Sequence, residues 1–331
     1  MRALFAWPAA IVLAGSAHAA AGGTGPQPAA GSQTNPYTVT AALDQRLQDT
    51  AWRLTRANAP FCQNIVPGTG LLLQDMQAWA DPRAARAALG LTSEISVGAA
   101  ARGSPAQMAG LEPGDAIAAL AGKSLRDLPP APARKFERLA DLTQLAEETT
   151  RAQGSLPLTV VSSGQPRGIV LVGVDVCASR FEIVTRGNEA EADGHRVLIS
   201  ADIALELASE DQFAFVVAHE LAHNLLAHAH YLRRAGRSGR NLRHVEREAD
   251  RLAVWLMANA GYDTAGAARF MKGWARRRGN GLFNPSHDGW DERLEGVEAE
   301  ISLLGASPAQ VGGYDWSSRF PLSREDAKSG R

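Results

Sequence analysis

The sequence predicts an α+β protein in which a mostly helical domain is interrupted by a mainly β segment. Residues 209–225 and 241–261 carry apolar side chains three and four positions apart, the spacing of amphipathic helices. Residues 95–125 instead alternate short apolar runs with Gly and Pro turns, which is typical of strands. Because Cys62 and Cys177 flank this stretch, we expect the β segment to be inserted within the helical domain.

At 331 residues the chain has room for about two domains. Its 34 basic and 35 acidic residues give a net charge of −1, which offers no electrostatic basis for binding nucleic acid. In order, we expect a signal peptide, a flexible tether, the first part of the helical domain, the β segment, the rest of the helical domain and a C-terminal tail. Their expected bounds are residues 1–19, 20–37, 38–62, 86–175, 177–305 and 306–331.

The N-terminus has the pattern of a secretory signal peptide. One arginine precedes an apolar stretch from Ala3 to Gly15, and the small residues Ala17 and Ala19 follow. Cleavage after Ala19 is expected to release a soluble protein without a membrane-spanning segment, located in the periplasm or secreted. An uncleaved membrane anchor is the alternative. The Gly/Pro/Ser-rich residues that follow are expected to form the tether.

Export predicts a disulfide between the two cysteines, because an oxidising compartment favours this bond. Cys62 and Cys177 lie 115 positions apart. A bond between them would join the entry of the β segment to its exit. Closing so long a loop stabilises a fold by up to roughly 4 to 5 kcal/mol in the chain-entropy model. Two buried thiols that do not pair are the alternative.

Within the β segment, "GSPAQMAGLEPGD" resembles the PDZ domains of bacterial exported proteases. The resemblance implies a peptide-binding module over roughly residues 86–175, where a peptide adds a strand to a sheet edge and backbone N–H groups receive its terminal carboxylate. The receiving loop would be Leu89, Gly90 and Leu91, with Gly90 allowing the backbone to turn toward the ligand. A simple helix end at this position is the alternative.

The segment "SEDQFAFVVAHELAHNLL" combines a helix start with a metal-binding pattern. Ser209 and Gln212 have the spacing of a capping box, so a helix should begin just after Ser209. His219 and His223 then lie one turn apart, which lets two imidazoles converge on one metal ion. Glu220 can reach a water at the same ion and is the expected general base. Two imidazoles with a carboxylate favour zinc and leave one position open.

The metal needs a third protein ligand. If the helix continues, His228 projects to the opposite face and His230 lies roughly 16 Å along the axis, so both read as helix-end histidines favoured by the dipole. The helix at 241–261 offers Glu246 as ligand and Asp250, one turn later, as the acceptor that orients a ligating histidine. Glu248 is a competing carboxylate on roughly the opposite face. A solvated charged face is the alternative for the whole segment.

"HELAHNLLAH" followed by "EREAD" resembles the HtpX and CAAX-prenyl-protease family of zinc metallopeptidases, metallopeptidase family 48, in its soluble exported branch. The resemblance covers roughly residues 180–301 and implies a zincin-like core of the gluzincin type, helices with a small sheet. The residues it implies are His219, His223 and Glu246 as zinc ligands, Glu220 as the catalytic residue and Asp250 behind the ligands.

The family's C-terminal motif is only partly present. "SHDGWDERL" keeps His287, Glu292 and Arg293 but lacks the family's proline. His287 or Arg293 is expected to stabilise a developing oxyanion. For His287 the alternatives are an approach to the zinc and an exposed loop histidine. The strand "HRVLIS", 195–200, is expected to offer an edge on which an extended substrate pairs through its backbone.

These features together predict a zinc-dependent endopeptidase that cleaves extended or unfolded polypeptides in the cell envelope. The expected partners are protein or peptide substrates, with peptide C-termini as ligands of the PDZ-like segment. A peptide-binding or chaperone-like protein with a structural or inactive metal site is the alternative from another functional class. A zinc hydrolase that acts on a non-peptide bond is a further alternative.

Overall fold

A computed structural model of the protein describes residues 35–126, 128, 136–162, 164–185, 187, 189–278, 289–306 and 312–320. The expected signal peptide, most of the tether and His287 lie outside these residues. Within the described ranges, no helix is long and apolar enough to cross a membrane.

The chain is an α+β protein of ten helices and eleven strands in its described part. The helices are Pro36–Asn58 (α1), Pro82–Leu89 (α2), Pro105–Met108 (α3), Glu137–Gln153 (α4), Ala201–Glu206 (α5), Glu210–Leu225 (α6), His228–Ala235 (α7), Gly239–Asn259 (α8), Ala265–Arg278 (α9) and Trp290–Ala306 (α10). The strands are Ile65–Gly68 (β1), Leu71–Asp75 (β2), Ile95–Ala100 (β3), Ala116–Leu120 (β4), Lys123–Ser124 (β5), Ser155–Ser162 (β6), Gln165–Val172 (β7), Val174–Cys177 (β8), Arg180–Val184 (β9), Ala190–Ala192 (β10) and Arg196–Ser200 (β11).

The described chain has two apolar cores. The larger one belongs to the helical domain, where α1 and α5 to α10 pack with the sheet of β9, β10 and β11. The smaller one belongs to residues 71–172, named here the inserted module, whose sheet has the order β2-β3-β4-β6-β7 with β5 paired to β4. The α+β class predicted from the sequence is confirmed.

Helix α1 packs in the helical domain although the inserted module separates it in sequence from the other helices. Its apolar stripe, which includes Leu43, Leu47 and Leu54, is buried in the larger core. Arg46 donates hydrogen bonds to the carbonyls of Ala204 and Leu207 at the end of α5, both at 2.7 Å. Because α1 starts at Pro36, the tether is two residues shorter than expected.

A disulfide joins the two ends of the chain segment that contains the inserted module. Cys62 and Cys177 are bonded, with their Cα atoms 5.6 Å apart. Next to the bond, β1 and β8 form a separate two-stranded antiparallel sheet in which Ile65 pairs with Cys177. The predicted disulfide is confirmed, and entry and exit of the module are fixed side by side.

The sheet of the inserted module begins before residue 86, the bound expected from the sequence. β2 pairs antiparallel with β3, so residues from Leu71 onward belong to the module. A buried ion pair also ties β2 to α4, because the Arg138 guanidinium donates to both carboxylate oxygens of Asp75 at 2.6 and 2.7 Å. Its third bond goes to Glu94.

The loop expected to receive a peptide carboxylate has the geometry of a helix end. Leu89 is the last residue of α2, and Gly90 follows in the left-handed conformation at φ 63°. The N–H groups of Gly90 and Leu91 both donate to the carbonyl of Arg86. These two donors are therefore engaged in capping α2, which favours the helix-end interpretation over a carboxylate loop.

The strand expected to offer a free edge beside the active-site helix lies in the middle of its sheet, so that expectation is wrong. β11 pairs antiparallel with β10 on one side and parallel with β9 on the other. The two edge strands of this sheet are β9 and the short β10. Asn224 near the end of α6 holds this sheet, since its side chain bonds to Gly194, Ser179 and Arg196.

The segment expected to be a C-terminal tail is part of the fold where the structure describes it. Trp316 and Phe320 are buried in the larger core. The Trp316 indole donates a hydrogen bond of 2.9 Å to Asn58 at the end of α1. The described residues 312–320 therefore pack against the helical domain and contribute to its core.

Candidate metal centre

Helix α6 carries the two histidines and begins where the capping box predicts. Ser209 is its N-cap and accepts from the Gln212 N–H at 3.5 Å. Val217 and Leu221 are fully buried, so the neighbouring face of the helix is held in a fixed direction toward α8. On α8, the predicted stripe of Val245, Ala249, Leu252 and Leu256 is buried as well.

Three side chains from these two helices meet at one point. Nε2 of His219 lies 3.2 Å from Nε2 of His223, and the two oxygens of Glu246 lie 3.5 and 3.7 Å from these nitrogens. Ligands of a tetrahedral zinc ion at about 2.1 Å stand about 3.4 Å apart. The spacing therefore fits one ion, and within the described ranges this is the cluster whose donor atoms are close enough to share a metal.

A chain of charged groups fixes the first ligand from behind. Nδ1 of His219 lies 2.9 Å from Asp250, whose side chain is only 2% exposed. Arg293 on α10 donates to both oxygens of Asp250 at 2.6 and 2.8 Å and lies 3.5 Å from Glu246. Such a carboxylate fixes the tautomer of a ligating histidine and turns its Nε2 toward the metal.

The charges of the side chains in the metal-free site favour a bound cation. Burial alone would lower the pKa of His219, but the hydrogen bonds to Asp250 and Glu246 raise it to about 10. Burial alone would raise the pKa of Glu246, but the contact with His219 holds this pKa well below its usual range. Burial and the neighbouring rings lower the pKa of His223, so that ring is neutral, as a metal ligand must be. The two carboxylates thus hold a positive charge between them, a place that a divalent cation fits.

Glu220 is a buried carboxylate beside the two histidines. It is 8% exposed, and burial raises its pKa to about 7. Among the residues that the structure describes, none forms a hydrogen bond with it. A carboxylate that is buried without a structural partner and titrates near neutrality has the properties of a general base.

His228 does not occupy the helix end expected for it. Helix α6 stops at Leu225, Ala227 takes the left-handed conformation at φ 54°, and His228 begins α7. Its ring is 1% exposed, and burial lowers its pKa to about 3. Nδ1 of His228 lies 2.9 Å from Nδ1 of His223. The residue is thus at the N-terminus of a helix and behind a ligand, whereas His230 is exposed.

The other predicted site residues, Glu248 and Arg293, do not contact the ligand atoms in the way that was expected. Glu248 lies 3.4 Å from Nε2 of His228 and from Nε2 of His244, so it faces away from the three donor atoms. Arg293, expected at an oxyanion, instead holds Asp250 with a bidentate contact. No sequence signal pointed to the contact of His228 with His223, because Ala227 gives no indication of a helix break.

The chain matches no protein-family model, no curated protein and no solved structure in the three comparisons made with known proteins. The site is therefore interpreted from its own geometry and from the sequence.

Proposed function

We propose that the protein is a zinc-dependent endopeptidase that cleaves extended or unfolded polypeptides. The observation that carries the proposal is the meeting of His219, His223 and Glu246 at the spacing of one tetrahedral ion, with the buried Glu220 beside them. Two imidazoles and one carboxylate form a catalytic zinc set, since structural sites use four protein ligands and leave no position open.

When bound, zinc supplies a water whose pKa is lowered to about 7 and polarises the carbonyl to be cleaved. Glu220 would take up a proton from the attacking water at its carboxylate and return it to the nitrogen of the leaving amine. In the metal-free site burial raises the pKa of Glu220 to about 7, so this carboxylate can take up a proton near neutral pH. Asp250 keeps His219 in the tautomer that binds, and Arg293 holds Asp250 in place.

Strand β10 is the surface on which we place the substrate. Among the described strands it pairs only with β11, so its outer edge is open to a further strand. It packs against α6, and Glu191 on β10 is close enough to raise the pKa of Glu220. A polypeptide that pairs with this edge would pass the base in an extended conformation, which favours unfolded substrates over folded ones.

The setting of this activity is the cell envelope. The disulfide supports an oxidising compartment, in agreement with the signal-peptide pattern at residues 1–19. The inserted module, with its resemblance to PDZ domains, is proposed to bind protein or peptide segments.

The test compares wild type with Glu220→Gln in cleavage of a labelled, denatured protein. We expect the variant to bind one zinc ion and melt at the wild-type temperature while losing cleavage by roughly 10² to 10⁴-fold, the usual contribution of a general base. Glu295→Gln removes an exposed carboxylate on α10 and serves as the matched control. Wild-type cleavage by Glu220→Gln would refute the mechanism, and a wild type that binds zinc and peptides but cleaves nothing would favour a binding protein.

A further inference from the structure

The two histidines of the metal cluster have different partners behind them. His219 contacts the carboxylate of Asp250, whereas His223 contacts the imidazole of His228. This second contact depends on the helix break at Ala227, which turns the chain back so that the His228 ring stands against the one five residues earlier. The His228 side chain is buried at 1% exposed, and the His223 side chain is 14% exposed, so the contact between the two rings is largely shielded from solvent.

The direction of the hydrogen bond follows from the position of the cluster. Nε2 of His223 faces His219 and Glu246, so this nitrogen must present a lone pair to a metal ion. The proton of the His223 ring is then on Nδ1, which lies 2.9 Å from Nδ1 of His228. His228 must accept there, and its own proton is on Nε2, 3.4 Å from Oε2 of Glu248. This arrangement satisfies the hydrogen bond between the two rings and directs the remaining N–H of His228 toward Glu248, which lies near it but outside hydrogen-bond geometry.

We propose that His228 is a positioning residue of the metal centre: it accepts the Nδ1–H of His223 and thereby fixes the tautomer and ring orientation that present Nε2 to the ion. Because it deepens the proposed function, it rests on zinc binding at this cluster, but not on peptide cleavage. On the far side of the ring, the carboxylate of Glu248 lies 3.4 Å from Nε2 of His228, where its charge favours a proton.

The chemical consequence is an asymmetric site. The carboxylate behind His219 adds negative charge next to Glu246, and Arg293 balances it. A neutral imidazole behind His223 orients the second ligand without adding a further negative charge to the donors. An ion held this way keeps more of its positive charge for the water and the substrate carbonyl than an ion behind two carboxylates would.

The experiment measures zinc affinity by competition with a chromophoric chelator in three variants. His228→Leu fills most of the volume but accepts no hydrogen bond, and we expect zinc affinity to fall roughly 10 to 100-fold, the usual effect of losing such a partner. His228→Gln keeps an acceptor for His223 and a donor for Glu248, so it should restore most of the affinity. His230→Leu changes an exposed histidine of the same helix and is the matched control.

Nitrogen NMR of the zinc-loaded wild type with ¹⁵N-labelled histidine gives a second test that needs no variant. The expected spectrum has His223 protonated on Nδ1 and His228 protonated on Nε2. Protonation of His228 on Nδ1, unchanged affinity in His228→Leu, or a wild type that binds no zinc would each overturn the proposal. Zinc binding and tautomers as expected in a protein that cleaves nothing would refute the peptidase activity alone.

Discussion

Replacing Asp250 with asparagine removes one charge from the site with almost no change of shape. Three N–H groups face the carboxylate: Arg293 donates two hydrogen bonds at 2.6 and 2.8 Å, and Nδ1 of His219 lies 2.9 Å from Oδ1. An asparagine oxygen can accept at most two of them, and its NH₂ group then points at a third donor. The variant therefore leaves at least one buried donor without an acceptor. In this cluster Arg293 then still has the carboxylate of Glu246, which lies 3.5 Å away.

The expected magnitudes follow from this geometry. Loss of the partner of a ligating histidine lowers metal affinity roughly 10 to 100-fold, which is about 1.4 to 2.7 kcal/mol. Removing one side of a buried ion pair costs about 3 to 5 kcal/mol of folding free energy. Because Glu246 still compensates part of the Arg293 charge, we expect the metal-free Asp250→Asn protein to lie near the lower end, about 3 kcal/mol.

Two assays measure these effects separately. Urea unfolding in excess chelator gives the free energy of unfolding of the metal-free protein, and chelator competition gives zinc affinity. Asp141→Asn removes an exposed carboxylate on α4 and is the control for a change of charge. A variant with wild-type zinc affinity would show that Asp250 does not orient His219, and the reasoning on this site would fail.

Three further predictions concern other parts of the chain. Serine in place of both Cys62 and Cys177 should lower the free energy of unfolding by up to roughly 4 to 5 kcal/mol in urea titrations, and an unchanged midpoint would contradict this. Ala227→Gly should raise it by about 1 kcal/mol, because glycine adopts the left-handed conformation without strain; a loss of stability would refute that. Burial raises the pKa of Asp44 from 3.8 to about 7. The folded protein therefore retains this proton more tightly than the unfolded chain, and the resulting stability is complete below pH 4 and is lost as pH rises to 7. The contribution is at most about 4 kcal/mol. Asp44→Asn should therefore be more stable than wild type at pH 8 and similar at pH 4, whereas parallel stability curves would disprove the assignment.

The parts of the fold that sequence reasoning predicted are those with local signals. The capping box at Ser209 and the apolar stripes of α6 and α8 depend on spacing that is visible in the chain. The pairing of Cys62 with Cys177 follows from the presence of two cysteines in a chain with a signal-peptide pattern. The convergence of His219 with Glu246 also follows from spacing, once the two helices are assumed to pack together.

The parts that were missed depend on tertiary packing. Alanine favours helices, so nothing local indicates that Ala227 ends α6 and turns His228 back against His223. At the break Leu226 is fully buried and Nε2 of His228 lies 3.4 Å from Glu248, contacts that only the folded chain shows. In the same way, three residues of β10 with two alanines carry no strand signal, and the middle position of β11 became visible only through pairing.

The most direct test of the metal centre is zinc X-ray absorption spectroscopy on the purified protein. We expect one zinc ion per chain with two imidazole nitrogens and carboxylate and water oxygens, all at about 2.0 to 2.2 Å. Glu246→Gln should lower zinc affinity, since it removes the charged ligand while both histidines remain. A third imidazole in the wild-type spectrum, or a protein purified with zinc bound but without the signature of two imidazoles, would contradict the assignment of His219, His223 and Glu246 as the ligands.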